Sequence, residues 1–255
     1  MTTGIRKNGQ FCWINMLTPE PAKARDFFGA LLRWTYVEIP GMGHRIQVDG
    51  HDIGGLFDLA SPNTPPGTPP LIGVMVRVAN ADATVAKVTS LGGKAMPAFD
   101  IMDQGRMAVC HDPNGGAFDV WEAKKGLGAD ADSTHHGATS WFEAMTTDVD
   151  RASKFYSDLF GWTPEAMPMP EFVYTTFKLG NDYVAGMMPI LPKMGAMRPH
   201  WGTYFTVDDV DATTTMANSL GATNCVPPMD ISGVGRMSGI VSPQGVMFYV
   251  ITYAR

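Results

Sequence analysis

The sequence predicts an α+β fold built from four βαβββ modules, and three observations support this prediction. First, the chain of 255 residues repeats itself: Trp13 is matched by Trp141, and Trp34 by Trp162, each 128 positions later. Second, each copy contains two places where a strand pattern is followed by a helix pattern. Third, further strand patterns, separated by turn residues, follow each helix. A repeat that holds its spacing in this way indicates a duplicated structural unit.

The first module of the first copy opens with a strand and an amphipathic helix. Residues 11–17 alternate between apolar and polar side chains as a half-buried strand does, and the helix pattern TPEPAKARDFFGALLRW (18–34) follows. Thr18 is a suitable N-cap, with Pro19 near the first turn. The spacing within FFGALL gives the apolar stripe of a helix. RIQV and HDIGGLF then predict short strands.

The second module repeats this order. Residues 71–78 predict a strand, residues 80–93 a helix, and GRMAVCHDPNGGAFDVWEA a hairpin. The turn HDPNGG has suitable chemistry, because Pro presets φ and Gly allows positive φ. The GRM triplet recurs in the second copy, so Arg106 and Arg236 are expected to share a structural task, such as an ion pair at a strand end. The linker 123–137 is polar and rich in Gly and Ala, and we expect it on the surface.

Composition excludes several classes of function. The net charge is −6 with a pI of about 5.4, and no basic stripe is present, so neither nucleic acid nor an anionic membrane is an expected partner. No apolar run reaches the roughly 18 residues of a membrane span, and MTTGIRKNGQ lacks the apolar region of a signal peptide. Three cysteines without CxxC spacing favour a reduced, cytoplasmic location and argue against a zinc ribbon. Cys12 and Cys110 are expected to be buried and inert.

Three stretches resemble a known superfamily. They are WINMLTPEPAKARDFF (13–28), VANAD (78–82) and GRMAVCHDPNGGAFDVWE (105–122), and they are similar to the vicinal oxygen chelate superfamily. That superfamily includes glyoxalase I, the bleomycin and fosfomycin resistance proteins and the extradiol dioxygenases, and this chain most resembles bacterial two-domain glyoxalase-like proteins. The resemblance implies that modules pair into two tandem cup-shaped half-barrel domains: a first cup in residues 1–122 and a second cup in residues 138–255. It also implies a divalent metal in a cup, chelated by a bidentate oxygen substrate.

The ligand positions that the resemblance implies are poorly suited to a metal here. We place three ligand positions by counting from the helix and turn motifs. In the first cup the first-strand ligand falls on Trp13, its counterpart in the partner module near Gly73, and the last-strand Glu on Asp119. In the second cup the same positions fall on Trp141, near Gly202 and on Tyr249. The fourth position lies within 50–58 or 181–189. Indole has no lone pair to give and Gly has no side chain, so no cofactor is expected. A two-residue slip would bring in Asn15, or Glu143 with His200, and with them a possible Zn, Ni, Mn or Fe site.

Seven residues are candidates for a site inside the cups. Glu143 and Asp119 are candidate acids or bases, because a carboxylate in an apolar cup tends to have a raised pKa. The alternative for each is a structural hydrogen bond. The candidate ligand-binding residues, which could equally be cup-filling core, are Trp13, Asn15, Trp141, Tyr249 and Tyr204.

Three functions remain open from the sequence. The first is a small-molecule protein that binds, and could convert, an apolar or aromatic metabolite in a metal-free cup. The second is a metal-dependent glyoxalase-like lyase or dioxygenase. The third is a regulatory or interaction protein whose cups are packed shut. The expected partner is a small molecule, and the chain is expected to be a monomer with an internal pseudo-dimer, or a homodimer.

Overall fold

A computed structural model describes residues 4–62, 64 and 67–254, and it contains all four predicted modules. The first three residues of MTTGIRKNGQ lie outside the described residues. The first copy forms β1 (Phe11–Thr18), α1 (Pro21–Leu32), β2 (Thr35–Ile39), β3 (Gly43–Val48), β4 (His51–Asp58), β5 (Leu71–Arg77), α2 (Ala81–Ser90), β6 (Lys94–Ala95), β7 (Phe99–Ile101), β8 (Gly105–His111) and β9 (Ala117–Ala123). No helix in the described part of the chain is long and apolar enough to cross a membrane.

The second copy repeats this order of elements. It forms β10 (Thr139–Thr146), α3 (Val149–Phe160), β11 (Thr163–Pro168), β12 (Val173–Leu179), β13 (Asp182–Pro189), a 3₁₀ turn (Pro192–Met194), β14 (His200–Thr206), α4 (Val210–Ser219), β15 (Thr223–Ile231), β16 (Gly235–Val241) and β17 (Met247–Tyr253).

Helix starts follow local capping chemistry, with one departure from expectation. Asn80, Asp148 and Asp209 each accept a hydrogen bond from a backbone N–H in the first turn of α2, α3 and α4. The N-cap predicted at Thr18 is wrong, because Thr18 is still part of β1. The α1 helix begins at Pro21, whose fixed φ suits the first helical position.

Each copy forms one sheet, as the fold prediction required. The strand order is β2-β3-β4-β1-β5-β9-β8-β6, with β7 on β8, in the first sheet, and β11-β12-β13-β10-β14-β17-β16-β15 in the second. In each sheet the opening strands of two modules pair antiparallel at the centre, β1 with β5 and β10 with β14. The predicted α+β fold of paired modules in two tandem cups is therefore confirmed, while the domain limits 1–122 and 138–255 stay a prediction.

The two sheets share one core, which lies on their helix-bearing faces. Phe118 of the first sheet packs against Phe155 and Tyr156 of α3, and Phe248 of the second sheet packs against Phe27 and Phe28 of α1. These contacts are exchanged reciprocally between the copies. The shared core leaves the opposite face of each sheet, the cup face, directed away from the other copy.

Two tryptophans close this arrangement with reciprocal hydrogen bonds. The indole N–H of Trp34 donates to the carbonyl of Gly137 at 2.8 Å, and that of Trp162 donates to the carbonyl of Gly9, also at 2.8 Å. Each Trp follows a helix of one copy, and each Gly precedes the opening strand of the other copy. Each bond therefore links one copy to the residues that precede the first strand of the other copy.

The linker, predicted to lie on the surface, does so only in part. Ala129, Ala131 and Ser133 are all buried, and the Ala129 N–H donates to the carbonyl of Cys12 in β1 at 2.6 Å. The Arg6 guanidinium donates to the Ala131 carbonyl at 2.8 Å. Small residues in this segment allow its backbone to approach the first sheet closely, so the linker is part of the folded body.

The paired arginines have the structural task that their repetition predicted. Arg106 Nε lies 2.8 Å from a carboxylate oxygen of Asp82 in the first turn of α2. Arg236 Nε lies 2.6 Å from the corresponding oxygen of Asp211 in α4. Each ion pair ties a hairpin strand to the start of the helix in its own module.

A buried chain of hydrogen bonds crosses the interface in one of its two pseudo-symmetric halves. The Tyr156 hydroxyl donates to Asp112 Oδ2 at 2.8 Å and accepts from Trp201 Nε1 at 2.9 Å. The repeat-related residues are Ser242, Phe28 and Ile72, which cannot form this chain. The network therefore makes the two halves of the shared core chemically different.

The substitution Tyr156→Phe tests this network. Removing the hydroxyl leaves Trp201 N–H and Asp112 Oδ2 buried without that partner, so we expect a loss of about 1–3 kcal/mol in the free energy of unfolding, measured by urea titration. Tyr183→Phe, at an exposed tyrosine, is the control and should change it by less than about 0.5 kcal/mol. Equal effects from the two substitutions would contradict a role for the network in stability.

Candidate active site

A β-bulge near the start of β1 and of β10 sets which side chains face the cups. The pairing of β1 with β5 shifts register just before Trp13, and the pairing of β10 with β14 shifts just before Trp141. From these positions onward side chains alternate between the two faces of the sheet. Trp13 and Asn15 therefore share the cup face of β1, and Trp141 and Glu143 share that of β10.

Glycines flank the central cup-face residue on both sides in both sheets. Asn15 lies opposite Gly73 on β5 and Gly55 on β4. Glu143 lies opposite Gly202 on β14 and Gly186 on β13. The residues paired with Gly73 and Gly202, the predicted ligand positions of the partner modules, are therefore Asn15 and Glu143 and not the two tryptophans. Gly55 and Gly186 lie within the two stretches, 50–58 and 181–189, where counting left the fourth position open.

Aromatic rings occupy the space beside three of these four glycines. A Cβ at Gly186 would lie 1.9 Å from the Tyr174 hydroxyl, and one at Gly202 would lie 2.7 Å from the Tyr249 ring. A Cβ at Gly55 would lie 2.5 Å from the Phe57 ring. Any larger residue at these positions would displace a ring, so glycine is required by close approach.

Glu143 is the centre of a hydrogen-bonded group in the second cup. Its carboxylate accepts from the Tyr174 hydroxyl at 2.7 Å and from the Tyr204 hydroxyl at 3.0 Å. The Tyr174 hydroxyl also accepts from Trp141 Nε1 at 3.0 Å. Glu143 is only 7% exposed. One carboxylate, two phenols and an indole N–H therefore form a connected chain of donors and acceptors.

Two stacked tyrosines form the wall beside this group. The rings of Tyr204 and Tyr249 are 4.6 Å apart at an angle of 15°. The Tyr249 hydroxyl lies 3.7 Å from the sulfur of Met145, which follows Glu143 on the same face of β10. At the rim, the Tyr253 hydroxyl donates to Ser140 Oγ at 3.0 Å. The second cup thus combines a carboxylate with flat aromatic surface.

Burial controls the protonation of this group. Desolvation raises the pKa of Glu143, although the hydroxyls of Tyr174 and Tyr204 favour its charged form. Burial, together with the Glu143 charge, raises the pKa of both tyrosines well above that of a free phenol. Both phenols therefore stay protonated and donate to the carboxylate, which is more basic than an exposed Glu.

The first cup holds a simpler polar pair. Asn15 Nδ2 donates to Asp119 Oδ2 at 3.1 Å. Burial raises the pKa of Asp119 to about 7, and the hydrogen bond from Asn15 opposes that shift only in part. Asp119 thus changes charge near neutral pH, where a general acid or base is most useful.

Apolar and sulfur-containing side chains surround this pair. They form a separate cluster on the cup face, made of Cys12, Trp13, Met75, Ile101, Met107, Trp121 and Ala123. Cys12 is fully buried, and burial raises the pKa of its thiol to about 12, so it is inert at neutral pH as predicted. Cys110 is buried in the shared core and is inert for the same reason.

His200 lies one step along β14 from the centre of the second cup. It pairs in register with Met145, and its Nδ1 lies 2.9 Å from the Arg198 carbonyl. Burial lowers the pKa of His200, so it is neutral at pH 7. Glu143 and His200 share a cup face, but no third donor side chain completes a set with them.

The donor set of neither cup fits a divalent metal. In the first cup Asn15 is flanked by two glycines and Asp119 lies beside Met75, and Glu143 in the second cup is already bonded to two phenols. Protein sites for such ions usually present three or four imidazole, thiolate or carboxylate donors. Across residues 4–62, 64 and 67–254, no group of three His, Cys, Asp or Glu side chains is placed to hold an ion.

Sequence reasoning missed Tyr174, which completes the Glu143 group. It lies on β12, and its contact with β10 crosses the strand β13 between them. The one available signal was Gly186, because a glycine inside a strand indicates close approach by another group. Register between non-adjacent strands is needed to identify that group.

Comparisons with known proteins agree with this architecture. A family described as "Bleomycin resistance protein-like N-terminal" matches residues 140–176. The "Putative glyoxylase CFP32" of Mycobacterium tuberculosis (strain CDC 1551 / Oshkosh) is 34% identical over 246 residues, which cover 94% of this chain and 93% of the relative. The chain belongs to the vicinal oxygen chelate superfamily.

Other members of the vicinal oxygen chelate superfamily extend the match. The "Anthracycline biosynthesis protein DnrV" of Streptomyces peucetius is 31% identical over 259 residues, covering 95% of this chain and 93% of that protein. The Mn(II)-bound glyoxalase from Novosphingobium aromaticivorans has a TM-score of 0.67 at 14% identity, with 98% of this chain and 83% of that chain covered. The 2,3-dioxygenase LapB from Pseudomonas sp. KL28 has a TM-score of 0.66 at 11% identity, with 100% and 94% covered. At these identities, the two structures share the fold alone with this superfamily member.

Asp119→Asn tests the raised pKa in the first cup. The folded state keeps the Asp119 proton up to about pH 7, whereas the unfolded chain releases it near the ordinary value of 3.8. Below about pH 4 Asp119 is protonated in both states, and its burial then costs no stability. As the pH rises to about 7 the unfolded chain loses this proton first, so the free energy of unfolding falls. We therefore expect Asp119→Asn to gain stability over the parent across this range, by about 1.4 kcal/mol for each pKa unit of difference.

The measurement is urea unfolding of both proteins at several pH values between 4 and 8. Taking the difference between them cancels the pH dependence of other groups, including Glu143. A difference that does not change with pH would mean that Asp119 titrates alike in the folded and unfolded states.

Proposed function

We propose that the protein binds a small, planar, hydroxylated aromatic molecule in the second cup without a metal ion, and that Glu143 acts there as proton acceptor. The observation that carries the proposal is the group of Glu143, Tyr174, Tyr204 and Trp141 on one cup face. Aromatic walls provide stacking surface, and the carboxylate provides one directional acceptor. We keep a cytoplasmic location as a prediction from the three free cysteines.

The chemistry follows from the protonation of this group. A buried carboxylate of raised pKa takes a proton more readily than an exposed Glu. The Tyr174 and Tyr204 hydroxyls orient the carboxylate and lower the energy of its charged form. A ligand hydroxyl, or a C–H bond acidified by a neighbouring carbonyl, would give its proton to Glu143, and Glu143 would return that proton to a different atom of the same ligand. The proposed activity is therefore proton transfer within a bound aromatic ligand.

The relatives support an aromatic ligand. One protein that matches 95% of the chain is named for anthracycline biosynthesis, and anthracycline names a polycyclic aromatic skeleton. The aromatic side chains of this cup suit such a skeleton, because aromatic rings stack in offset geometry. The first cup, with Trp13 beside Asn15 and Asp119, is a second and smaller candidate for the same class of ligand.

A second candidate function has a specific observation in its favour. Rings lie directly over Gly55, Gly186 and Gly202, and Glu143 is almost fully buried. These features are also expected of cups packed shut in an interaction protein. A packed cup predicts no ligand response, so one binding experiment separates the two functions.

Binding of 1,2-dihydroxyanthraquinone to Glu143→Gln tests the proposed function. The amide keeps the shape of the side chain but removes its charge, and a hydrogen bond to a charged group contributes about 1.5–3 kcal/mol. We expect affinity, measured by quenching of tryptophan fluorescence and by calorimetry, to fall about 10- to 100-fold. Glu20→Gln, which alters an exposed Glu in the same way, is the matched control.

Two results would contradict this proposal. Parent protein that neither binds the anthraquinone nor gains thermal stability from it would favour packed cups. Equal affinity in the parent and Glu143→Gln would remove Glu143 from the site while leaving the aromatic walls as the binding surface.

Metal content tests the metal-free part of the proposal. We expect elemental mass spectrometry of tag-free protein, purified without chelator, to find divalent metal far below one ion per chain, because neither cup offers a suitable donor set. Incubation with excess Zn, Ni, Mn or Fe followed by gel filtration should not change this. Near-stoichiometric metal would overturn the donor argument and favour a metal-dependent lyase or dioxygenase.

A further inference from the structure

A groove outside the cups distinguishes the two copies. It lies on the helix-bearing side of the second sheet, between the first turns of α3, the β11–β12 hairpin and the segment after β13, with a volume of about 650 Å³. We call it the α3 groove. Its lining includes Asp150 and Ser153 of α3, Pro164 of β11, Phe172 beside β12 and Thr175 of β12. Its volume is that of an ordinary small-molecule site.

The duplication explains why this groove is open. The pairing of β2 with β3 matches that of β11 with β12 position for position, because Glu38 faces His44 where Ala166 faces Thr175. On the adjoining helix, Arg25 is matched by Ser153, 128 positions later. On the adjoining strand, Tyr36 is matched by Pro164. Four large polar side chains of the first copy are therefore replaced by four small ones in the second.

In the first copy the same space is filled by the chain itself. Arg25 Nη1 lies 2.8 Å from His44 Nε2. The Tyr36 ring packs edge-on against the His44 ring, with centroids 6.5 Å apart. Burial and the neighbouring guanidinium lower the pKa of His44, so the imidazole is neutral and Nε2 accepts from Arg25. A cation set against aromatic rings thus occupies the first copy's groove.

The walls of the α3 groove complement a group of that kind. Phe172, Pro164 and neighbouring aliphatic side chains offer apolar surface, and Asp150 and Glu171 bring two carboxylates to the lining. No Lys, Arg or His is among the described residues that line the groove, although Lys193 forms an ion pair with Glu171. Within the described part of the chain the Asp150 carboxylate lacks that compensation, and beside an apolar floor it favours a ligand with a positive charge and a flat ring.

We propose that the α3 groove is a binding site for a small aromatic cation, which takes the place held in the first copy by Arg25, Tyr36 and His44. The site is on the opposite face of the sheet from Glu143, so it does not depend on the function proposed for the second cup. Its ligand would lie against Phe172 with its charge beside Asp150.

The experiment compares benzamidine, a planar aromatic cation, with benzamide, its neutral counterpart of nearly the same shape. Binding to the full chain is measured by calorimetry and by chemical-shift changes in ¹⁵N-labelled protein. We expect benzamidine to bind at least about fivefold more tightly than benzamide, as one or two exposed carboxylates would provide. The largest shifts should fall on the backbone amides of Ser153, Phe172 and Thr175.

Two sets of variants locate the site. Ser153→Arg with Thr175→His restores the first copy's filling residues and should abolish binding. Asp150→Asn with Glu171→Gln changes only exposed side chains and keeps the groove open, so it still tests the site if the first variant misfolds. It should lower the affinity for benzamidine at least about fivefold and leave the affinity for benzamide unchanged. The reciprocal Arg25→Ser opens the first copy's groove and should leave the shifts at Ser153 and Thr175 unaltered.

Three outcomes would overturn the proposal. Equal affinity for benzamidine and benzamide would exclude a cation site. Benzamidine binding that Glu143→Gln removes and Ser153→Arg leaves intact would locate the cation in the second cup instead. No response of the parent protein to benzamidine at millimolar concentration would exclude this ligand class from the α3 groove.

Discussion

The exchange of Trp34 and Trp162 between the two copies is the constraint on which the rest of the structure depends. Each indole donates to the glycine carbonyl that precedes the other copy's opening strand, and both bonds lie beside the shared aromatic core. A βαβββ module leaves one sheet face bare, and these contacts bury the helix-bearing faces of both sheets against each other. The cup faces are therefore the surfaces left for binding, and the linker must pack closely to allow the exchange.

Within this frame the copies have diverged in polar chemistry while keeping their shape. The glycines beside Asn15 and Glu143 are retained in both sheets, as are the two Arg–Asp ion pairs. The central groups differ: an amide–carboxylate pair in the first cup, and a carboxylate held by two phenols in the second. Because the backbone is the same, the difference in acid–base character comes from side chains alone.

The sequence was sufficient for most features that depend on spacing along the chain, although the N-cap predicted at Thr18 was wrong. The repeat, the module order, the hairpin turns and the common task of Arg106 and Arg236 follow from local patterns. Tyr174, the two-residue register of Asn15 and Glu143, and the burial of Ala129 and its neighbours do not, because each depends on distances across strands or between copies. A segment of small and polar residues is typical both of an exposed linker and of a closely packed one, so the surface prediction for the linker was only partly right.

Glycines next to the cup centre bear on both the metal and the ligand. A metal site in a sheet needs donor side chains that converge from neighbouring strands, and a glycine supplies no donor. The space beside the glycine is not left empty, because an adjacent ring lies over its backbone. Tyr174 and Tyr249 do so on either side of Glu143. The carboxylate then receives its compensation from phenolic hydroxyls rather than from a cation, which leaves it polarised but still able to take a proton. The same replacement that makes the second cup a poor metal site therefore makes Glu143 a suitable base.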